Sequence, residues 1–192
     1  MAAITLKLTS ESPLLMHNVV LADPLGEAVR ELKPLTSKRN KTDDDQREIA
    51  FLEFKHGMYF DSDAGPCIKG HMIRASILGG AKKQRAGAKV KSGLLIVDDV
   101  VPLEYDGPRD IANLWKKGFH FSTMVGNQKA RIRRTRPMFR KWSVTVDVHL
   151  DESVMNEREV IVWAKDAGRL CGLGDWRPET GGTYGRFSVE KA

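Results

Sequence analysis

Alternating apolar and polar residues predict strands near both ends of the chain. Over residues 3–9, isoleucine and leucines alternate with polar residues, and over residues 142–150 tryptophan and valines do the same. A period of two residues turns one apolar face to a core and one polar face to solvent. The continuous apolar run over residues 93–101 predicts another strand, and the alternation over residues 184–190 predicts a last one.

Apolar residues at helical spacing predict three main helices. The first covers residues 43–57 and begins with three aspartates, which favour the positive end of the helix dipole. The second covers residues 69–78 and is expected to end at the pair of glycines that follows. The third covers residues 156–170, with an asparagine as its N-cap. Shorter helical segments are predicted at residues 25–32 and 111–117.

With insertions set aside, these elements read strand, helix, strand, strand, helix, strand. This βαββαβ order is that of the ferredoxin-like or RRM-like α+β fold, whose antiparallel sheet has both helices on one face. We therefore predict one domain over residues 1–192, with an insertion at about 17–66 and a basic arm at about 119–141 that stands off as a hairpin. The open face of such a sheet binds single strands in RRM modules, but the aromatic RRM signature is absent here.

Positive charge is concentrated in parts of this 192-residue chain, whose formal net charge is +6. An acid-free run over residues 129–141 contains Lys129 and several arginines, and a second lies at residues 82–91. Segregated positive charge is typical of a protein with a polyanionic partner, and arginine binds phosphate in a bidentate manner. The alternative is a solvated basic face. The candidate contacts in these runs, together with those in the polar stretch before residue 43, are Lys38, Arg39, Lys41, Lys82, Lys83, Arg85, Arg131, Arg133, Arg134, Arg136 and Arg140.

The start of the second predicted helix is a candidate anion site. Lys69 and Gly70 lie in its first turn, where free backbone amides and the helix dipole favour an anion. Arg74 follows one turn later. A phosphate held by these residues is physically reasonable, although any helix with a basic start has the same pattern.

Acidic groups and cysteines give little support for metal chemistry. Asp43–Asp45 fit a helix cap better than a metal site, and for Asp98 and Asp99 a turn or salt bridge is the simpler role. Neither GxxxxGK[ST] nor HExxH is present. Cys67 and Cys171 are expected to be reduced core residues. We predict no cofactor and no metal.

The N-terminal residues lack the charged head and apolar run of a signal peptide, and no run of about 18 apolar residues occurs. These features predict a cytoplasmic protein without a membrane partner.

The stretch GLGDWRPETGGTYGRF, residues 172–187, is the strongest local signal for a special backbone. Its glycines permit sharp turns and close backbone approach. With its continuation SV, this stretch resembles the C-terminal glycine-rich loop of the RAMP superfamily, which includes the backbone subunits of CRISPR effector complexes. GPCIKGHMIRASI, residues 65–77, and GLLIVDDV, residues 93–100, resemble the superfamily's first helix and the segment after it.

The resemblance implies a subunit that grips an RNA backbone and stacks with copies of itself. By this mapping Lys69, Gly70, His71 and Arg74 meet phosphates, and the basic arm corresponds to a hairpin thumb. The loop residues expected to pass close to the strand are Gly172, Gly174, Arg177, Gly181 and Gly182. Some members cut RNA with an aspartate in the first insertion, and Asp23 is the nearest match. The chain is short for such a subunit, so a stand-alone relative from a mobile element or phage is an alternative to a CRISPR-associated, antiviral role.

Three functions are compatible with the sequence. The leading hypothesis is a non-enzymatic protein that coats single-stranded RNA, or single-stranded DNA, as a homo-oligomer or filament, with or without other subunits of a ribonucleoprotein complex. A metal-dependent endoribonuclease using Asp23 or Asp43–Asp45 is the second. The third is a structural subunit whose arginine arm binds an acidic protein.

Overall fold

The secondary structure combines α-helices with antiparallel β-sheets, which confirms the predicted α+β class. The structure is a computed structural model and describes residues 1–127 and 130–192. The helices are α1 (Glu27–Thr36), α2 (Asp43–Gly57), α3 (Gly70–Lys83), α4 (Gly87–Gly93), α5 (Ile111–Lys116) and α6 (Glu157–Asp166). The strands are β1 (Ala2–Ser10), β2 (Leu14–Leu15), β3 (Phe60–Asp61), β4 (Gly65–Lys69), β5 (Leu94–Leu95), β6 (Val100–Pro102), β7 (His120–Asn127), β8 (Ala130–Phe139), β9 (Ser143–Leu150) and β10 (Phe187–Lys191).

The chain divides into two compact units. Unit 1 consists of residues 1–15, 60–106 and 140–192, and unit 2 of residues 16–59 and 107–139. Unit 2 thus draws on much of the stretch predicted as an insertion and on most of the predicted basic arm. The assignment of the whole chain to one domain stays a prediction.

Unit 1 is built on a four-stranded antiparallel sheet in the order β10-β1-β9-β5. Leu8 of β1 lies opposite Val144 of β9 on one side and Val189 of β10 on the other. All three side chains are buried, whereas the intervening residues of these strands are exposed or half-buried. The alternation read from the sequence is therefore confirmed, and it fixes which sheet face meets the core.

Helix α3 packs against α6 through glycines at their contact. A Cβ atom at Gly80 would lie 2.1 Å from the Trp163 carbonyl oxygen, and one at Gly79 would lie 2.7 Å from the Cys171 sulfur. The prediction that these glycines end the helix is wrong, because α3 continues to Lys83. The glycines are in the helix to allow close packing, which outweighs their unfavourable helix propensity.

The predicted strand over residues 93–101 is also corrected. The segment is divided into β5, which pairs with β9, and β6, which pairs with β4 in a separate sheet of order β3-β4-β6. Asp98 and Asp99 lie between the two strands. Because two short apolar strands in succession resemble one long apolar run, the pattern could not reveal the change of sheet.

Unit 2 combines helices α1 and α2 with the hairpin formed by β7 and β8. Leu32, Ile49 and Leu52 form a buried cluster between the two helices. Helix α2 begins at a capping box, in which Thr42 accepts from the Asp45 amide and the Asp45 carboxylate accepts from the Thr42 amide. The helix-cap interpretation of the three aspartates is therefore confirmed.

Among the residues that the structure describes, no helix has the length and apolar character needed to cross a membrane.

Replacing Gly80 by alanine is expected to destabilise the protein by at least about 2 kcal/mol, because the new methyl group overlaps the Trp163 carbonyl oxygen. Urea denaturation followed by circular dichroism measures the change. Gly87→Ala in α4 is the control, because its methyl group would lie 2.9 Å from Cγ of the exposed Lys82 side chain and would make an ordinary contact of 3.6 Å with Leu78, instead of overlapping a backbone carbonyl. Equal stability of both variants would show that α3 and α6 do not touch in this way.

The carboxylates of Asp45 and Glu159 are expected to make stability fall in acid. A hydrogen bond from the Lys38 ammonium lowers the pKa of Asp45, and one from Lys89 lowers the pKa of Glu159. A lowered folded-state pKa means that stability is present above the unfolded-state pKa of about 4 and is lost as pH falls through the folded value. Melting temperatures between pH 6 and pH 2.5 should fall less steeply for Asp45→Asn and Glu159→Gln than for the parent. If the melting temperatures of the variants and the parent fell equally steeply with pH, these two carboxylates would not be the source of the acid sensitivity.

Candidate nucleic-acid interface

The glycine-rich loop after α6 is a folded element closed by its own backbone. The Leu173 amide donates to the Gly185 carbonyl at 2.9 Å, and the Tyr184 amide donates to the Trp176 carbonyl at 3.1 Å. The base of the loop is attached to the segment after β1, because the Asp175 amide donates to the Leu15 carbonyl at 2.8 Å. The loop is therefore held rigidly beside the sheet of unit 1.

Several loop glycines are required by this geometry. Gly174 has φ +75° and a Cβ atom there would lie 2.2 Å from the Leu15 carbonyl oxygen, and at Gly182 it would lie 1.8 Å from that of Trp176. Gly181 has φ +84° but open space around it. Gly174 and Gly182 allow another backbone segment to approach closely, whereas Gly181 is needed only for the positive φ of the turn.

A shallow groove of about 140 Å³ lies between the loop and the first turns of α3. We call it the α3–loop groove. Ser76 joins its two walls, because its hydroxyl group donates to the Gly172 carbonyl at 2.9 Å. The groove is lined by His71, Met72, Ala75, Ser76, Gly172, Leu173, Gly174, Arg177 and Glu179. The structure thus brings together four of the predicted contacts, namely His71, Gly172, Gly174 and Arg177.

Arg177 is held at this groove by two loop contacts. Its Nη1 donates to the Gly174 carbonyl at 3.2 Å, and its Nε and Nη2 donate to Glu179 at 3.2 and 3.1 Å. The ion pair is partly exposed, with side-chain exposures of 36% for Arg177 and 42% for Glu179. Because exposed pairs contribute little free energy, an anionic ligand can compete for this guanidinium.

At the start of α3, Asp99 contacts all three predicted phosphate ligands of that turn. The Lys69 ammonium donates to its carboxylate at 3.2 Å, and the Gly70 amide donates to its carbonyl at 3.1 Å. His71 Nδ1 lies 4.0 Å from the same carboxylate. The salt-bridge role expected for Asp99 is confirmed. A phosphate would have to displace the exposed carboxylate, whereas the Gly70 amide is already used in the fold.

Arg74 points to a different part of unit 1. Its guanidinium donates to the carbonyls of Val90, Lys91 and Leu94 at 2.8 to 3.2 Å, which caps the end of α4. The lining of the α3–loop groove does not include it. Its role as a phosphate ligand stays a prediction, and we leave it out of the interface proposed below.

The other predicted contacts of unit 1 are exposed residues. Lys82, Lys83 and Arg85 are exposed at the end of α3, where Arg85 adopts φ +59°. Arg140 is exposed after β8, and Gly181 is exposed in the glycine-rich loop.

In unit 2, the arginines of β8 fall into two groups. Arg131 and Arg133 are exposed in the first half of β8, opposite Gly126 and Met124 of β7. Arg134 forms an ion pair with the carboxylate of Glu53, a side chain that is only 5% exposed. Arg136 is half-buried, and Lys129 lies outside the described residues. Among the described arginines of β8, Arg131 and Arg133 are thus exposed, whereas Arg134 and Arg136 are half-buried.

Glu53 was not singled out by sequence reasoning, yet it anchors the hairpin. One of its oxygens accepts from Arg134, and the other accepts from the Thr135 amide at 2.8 Å. The signal in the sequence is a glutamate between Leu52 and Phe54, both buried residues of α2. A charge at an apolar position implies a buried partner, but not which one.

The remaining candidates lie in unit 2 before or at the start of α2. Lys38 pairs with Asp45 at 2.6 Å, Lys41 donates to the Lys38 carbonyl at 2.8 Å, and Arg39 is exposed. The Asp23 carboxylate accepts from the Leu25 amide at 3.0 Å in a local turn.

Within residues 1–127 and 130–192, no three histidine, cysteine, aspartate or glutamate side chains are grouped to hold a metal ion. Cys67 and Cys171 are buried free thiols, as expected, and burial raises the pKa of each.

A scan against protein-family models finds none that matches the chain, and a search of curated proteins finds no similar protein. The RAMP resemblance therefore stays a prediction.

Glu53→Ala is expected to destabilise unit 2 by about 2 kcal/mol, because the buried Thr135 amide loses its acceptor and Arg134 loses its ion pair. Glu53→Gln, which keeps one acceptor oxygen, should lose less. Urea midpoints measure both, with the exposed Glu48→Ala on the same helix as control. A midpoint for Glu53→Ala equal to that of the control would contradict the anchoring role.

Proposed function

We propose that the protein is a non-enzymatic subunit that binds single-stranded RNA, or single-stranded DNA, by contacting the sugar-phosphate backbone of the nucleic acid. One observation supports this function above the others. The segments that resemble the RAMP motifs are far apart in sequence but meet in unit 1. Asp99 contacts Lys69 and Gly70, and Ser76 contacts Gly172. A shared phosphate-binding surface requires such segments to lie together, and this convergence supports the proposal.

The strand order supports the ferredoxin-like, RRM-like part of this proposal. The sheet of unit 1 has the order β10-β1-β9-β5, with α3 before β5 and α6 before β10. Taken alone, these elements follow the βαββαβ sequence of a split β-α-β fold. The polar sheet face bears Thr5, Thr145, Asp147 and His149, and among the described residues of these strands it carries no phenylalanine, tyrosine or tryptophan of the kind in the RRM signature. We therefore assign nucleic-acid binding to the loops beside the sheet and not to its polar face.

Phosphate contacts would come from basic side chains that are exposed or weakly paired. In unit 1 these are Lys69, His71 and Arg177, and in unit 2 they are Arg131 and Arg133. Such contacts position a strand without reading its sequence, so we expect binding with little sequence preference. A backbone-type subunit of this kind would bind repeatedly along one strand in the cytoplasm, as a homo-oligomer or within a ribonucleoprotein complex.

The test is fluorescence anisotropy of a labelled 30-nucleotide RNA over a series of salt concentrations. For a single strand, log K should fall with log salt by about 0.7 for each phosphate neutralised. Arg177→Ala and the double variant Arg131→Ala, Arg133→Ala should each weaken binding and make the slope shallower. Arg47→Ala is the control, because this exposed arginine pairs with Asp44 and is outside the proposed contacts.

Binding of the parent protein with no salt dependence would contradict a phosphate-based function. A loss of affinity in Arg47→Ala as large as in Arg177→Ala would show that general charge, and not this surface, accounts for binding.

A further inference from the structure

Trp176 has a backbone conformation that tryptophan rarely adopts. Its φ is +50°, and the other non-glycine residue with positive φ in the described part of the chain is Arg85. For a bulky residue the left-handed region is unfavourable, so the surrounding structure must impose it.

The returning segment of the loop, residues 182–184, holds this conformation in place. The Trp176 carbonyl accepts from the Tyr184 amide at 3.1 Å, and the next carbonyl, that of Arg177, accepts from the Gly182 amide at 3.0 Å. Gly182 passes so close that a Cβ atom there would lie 1.8 Å from the Trp176 carbonyl oxygen. The positive φ of Trp176 is therefore held by hydrogen bonds and close packing within the loop.

Core packing does not account for a tryptophan at this position. Trp176 is 37% exposed, whereas Trp142 and Trp163 are 3% and 2% exposed in the core of unit 1. Its ring lies beside that of Tyr184, with 6.3 Å between centroids and 31° between planes. The loop thus holds two aromatic rings side by side in a tilted arrangement, and the Trp176 ring is partly in solvent.

We propose that Trp176, supported by Tyr184, is a stacking site for a nucleobase of the bound strand. This inference rests on the proposed function and adds base contacts to its phosphate contacts. Bases of any identity stack on aromatic rings, so the site would increase affinity without selecting a sequence.

The chemistry next to the ring fits a nucleotide. Arg177, directly after the tryptophan, lines the α3–loop groove together with His71. Three acidic residues lie in this region. Glu179 and Asp99 lie against Arg177 and Lys69 respectively, and Asp175 directly precedes Trp176. A base on Trp176 and a phosphate at Arg177 would then be held by consecutive residues.

Trp176→Asn is the informative variant, because asparagine tolerates positive φ and removes only the ring. Trp176→Phe keeps an aromatic face, and Val97→Ala, at a side chain that is 64% exposed, is the control for a lost apolar contact. Thermal unfolding identifies any variant whose loop has not formed. Each protein is titrated with a labelled 30-nucleotide uridine RNA and with the same length of abasic ribose-phosphate strand.

If the proposal holds, Trp176→Asn weakens binding of the uridine RNA about tenfold, while Trp176→Phe and Val97→Ala change it less than about threefold. All four proteins, parent included, bind the abasic strand equally, and their salt slopes agree because stacking releases no counterions. RNA should also quench the intrinsic fluorescence of the parent more than that of Trp176→Phe.

Equal binding of the uridine RNA by the parent and Trp176→Asn would overturn the stacking site and leave phosphate binding intact. Binding of neither strand by the parent would overturn the proposed function together with this inference. A loss in Trp176→Asn that is equal for the uridine and abasic strands would also overturn stacking, because it would show a backbone effect.

Discussion

The close approach of helix backbones at glycine is the constraint on which unit 1 depends. Gly80 allows α3 to reach the Trp163 carbonyl, and at Gly168 a Cβ atom would lie 1.9 Å from the Phe187 carbonyl oxygen. These contacts pack α3 against α6 and pack the turn after α6 against β10. Interiors packed at this density have no room for a methyl group without movement of the backbone. The position of everything that follows α6 is therefore set by residues that lack a side chain.

The position of the glycine-rich loop follows from that packing. The chain leaves α6 through a π-helical turn at Ala167–Cys171 and enters the loop at Gly172, which has φ +74°. Backbone bonds to Pro13 and Leu15 then fix the loop to the segment after β1. The α3–loop groove has rigid walls for this reason, and Arg177 is held in a defined position before any ligand binds. Preorganisation of this kind lowers the entropic cost of binding.

Sequence reasoning succeeded where periodicity and capping agreed and failed where tertiary contacts decided. β1, β9 and α2 were predicted within a residue or two, because alternation marks the two strands and three aspartates mark the start of the helix. The end of α3 was missed, since Gly79 and Gly80 have the same local signature whether they end a helix or admit a neighbour. Part of the candidate site was predictable from motifs, but not the bonding of Arg74 to three carbonyls or the burial of Glu53. Such partners are distant in sequence and leave no local pattern.

The carbonyl contacts of Arg74 also bear on how many ions the protein exchanges with a nucleic acid. This guanidinium compensates the partial negative charge at the end of α4, and Arg134 compensates Glu53 in a similar way. Arginines that bond within the fold in this way are counted among the 31 lysines and arginines, but they displace no counterions from a strand. The electrostatic valence of each molecule is accordingly smaller than a count of its lysines and arginines implies.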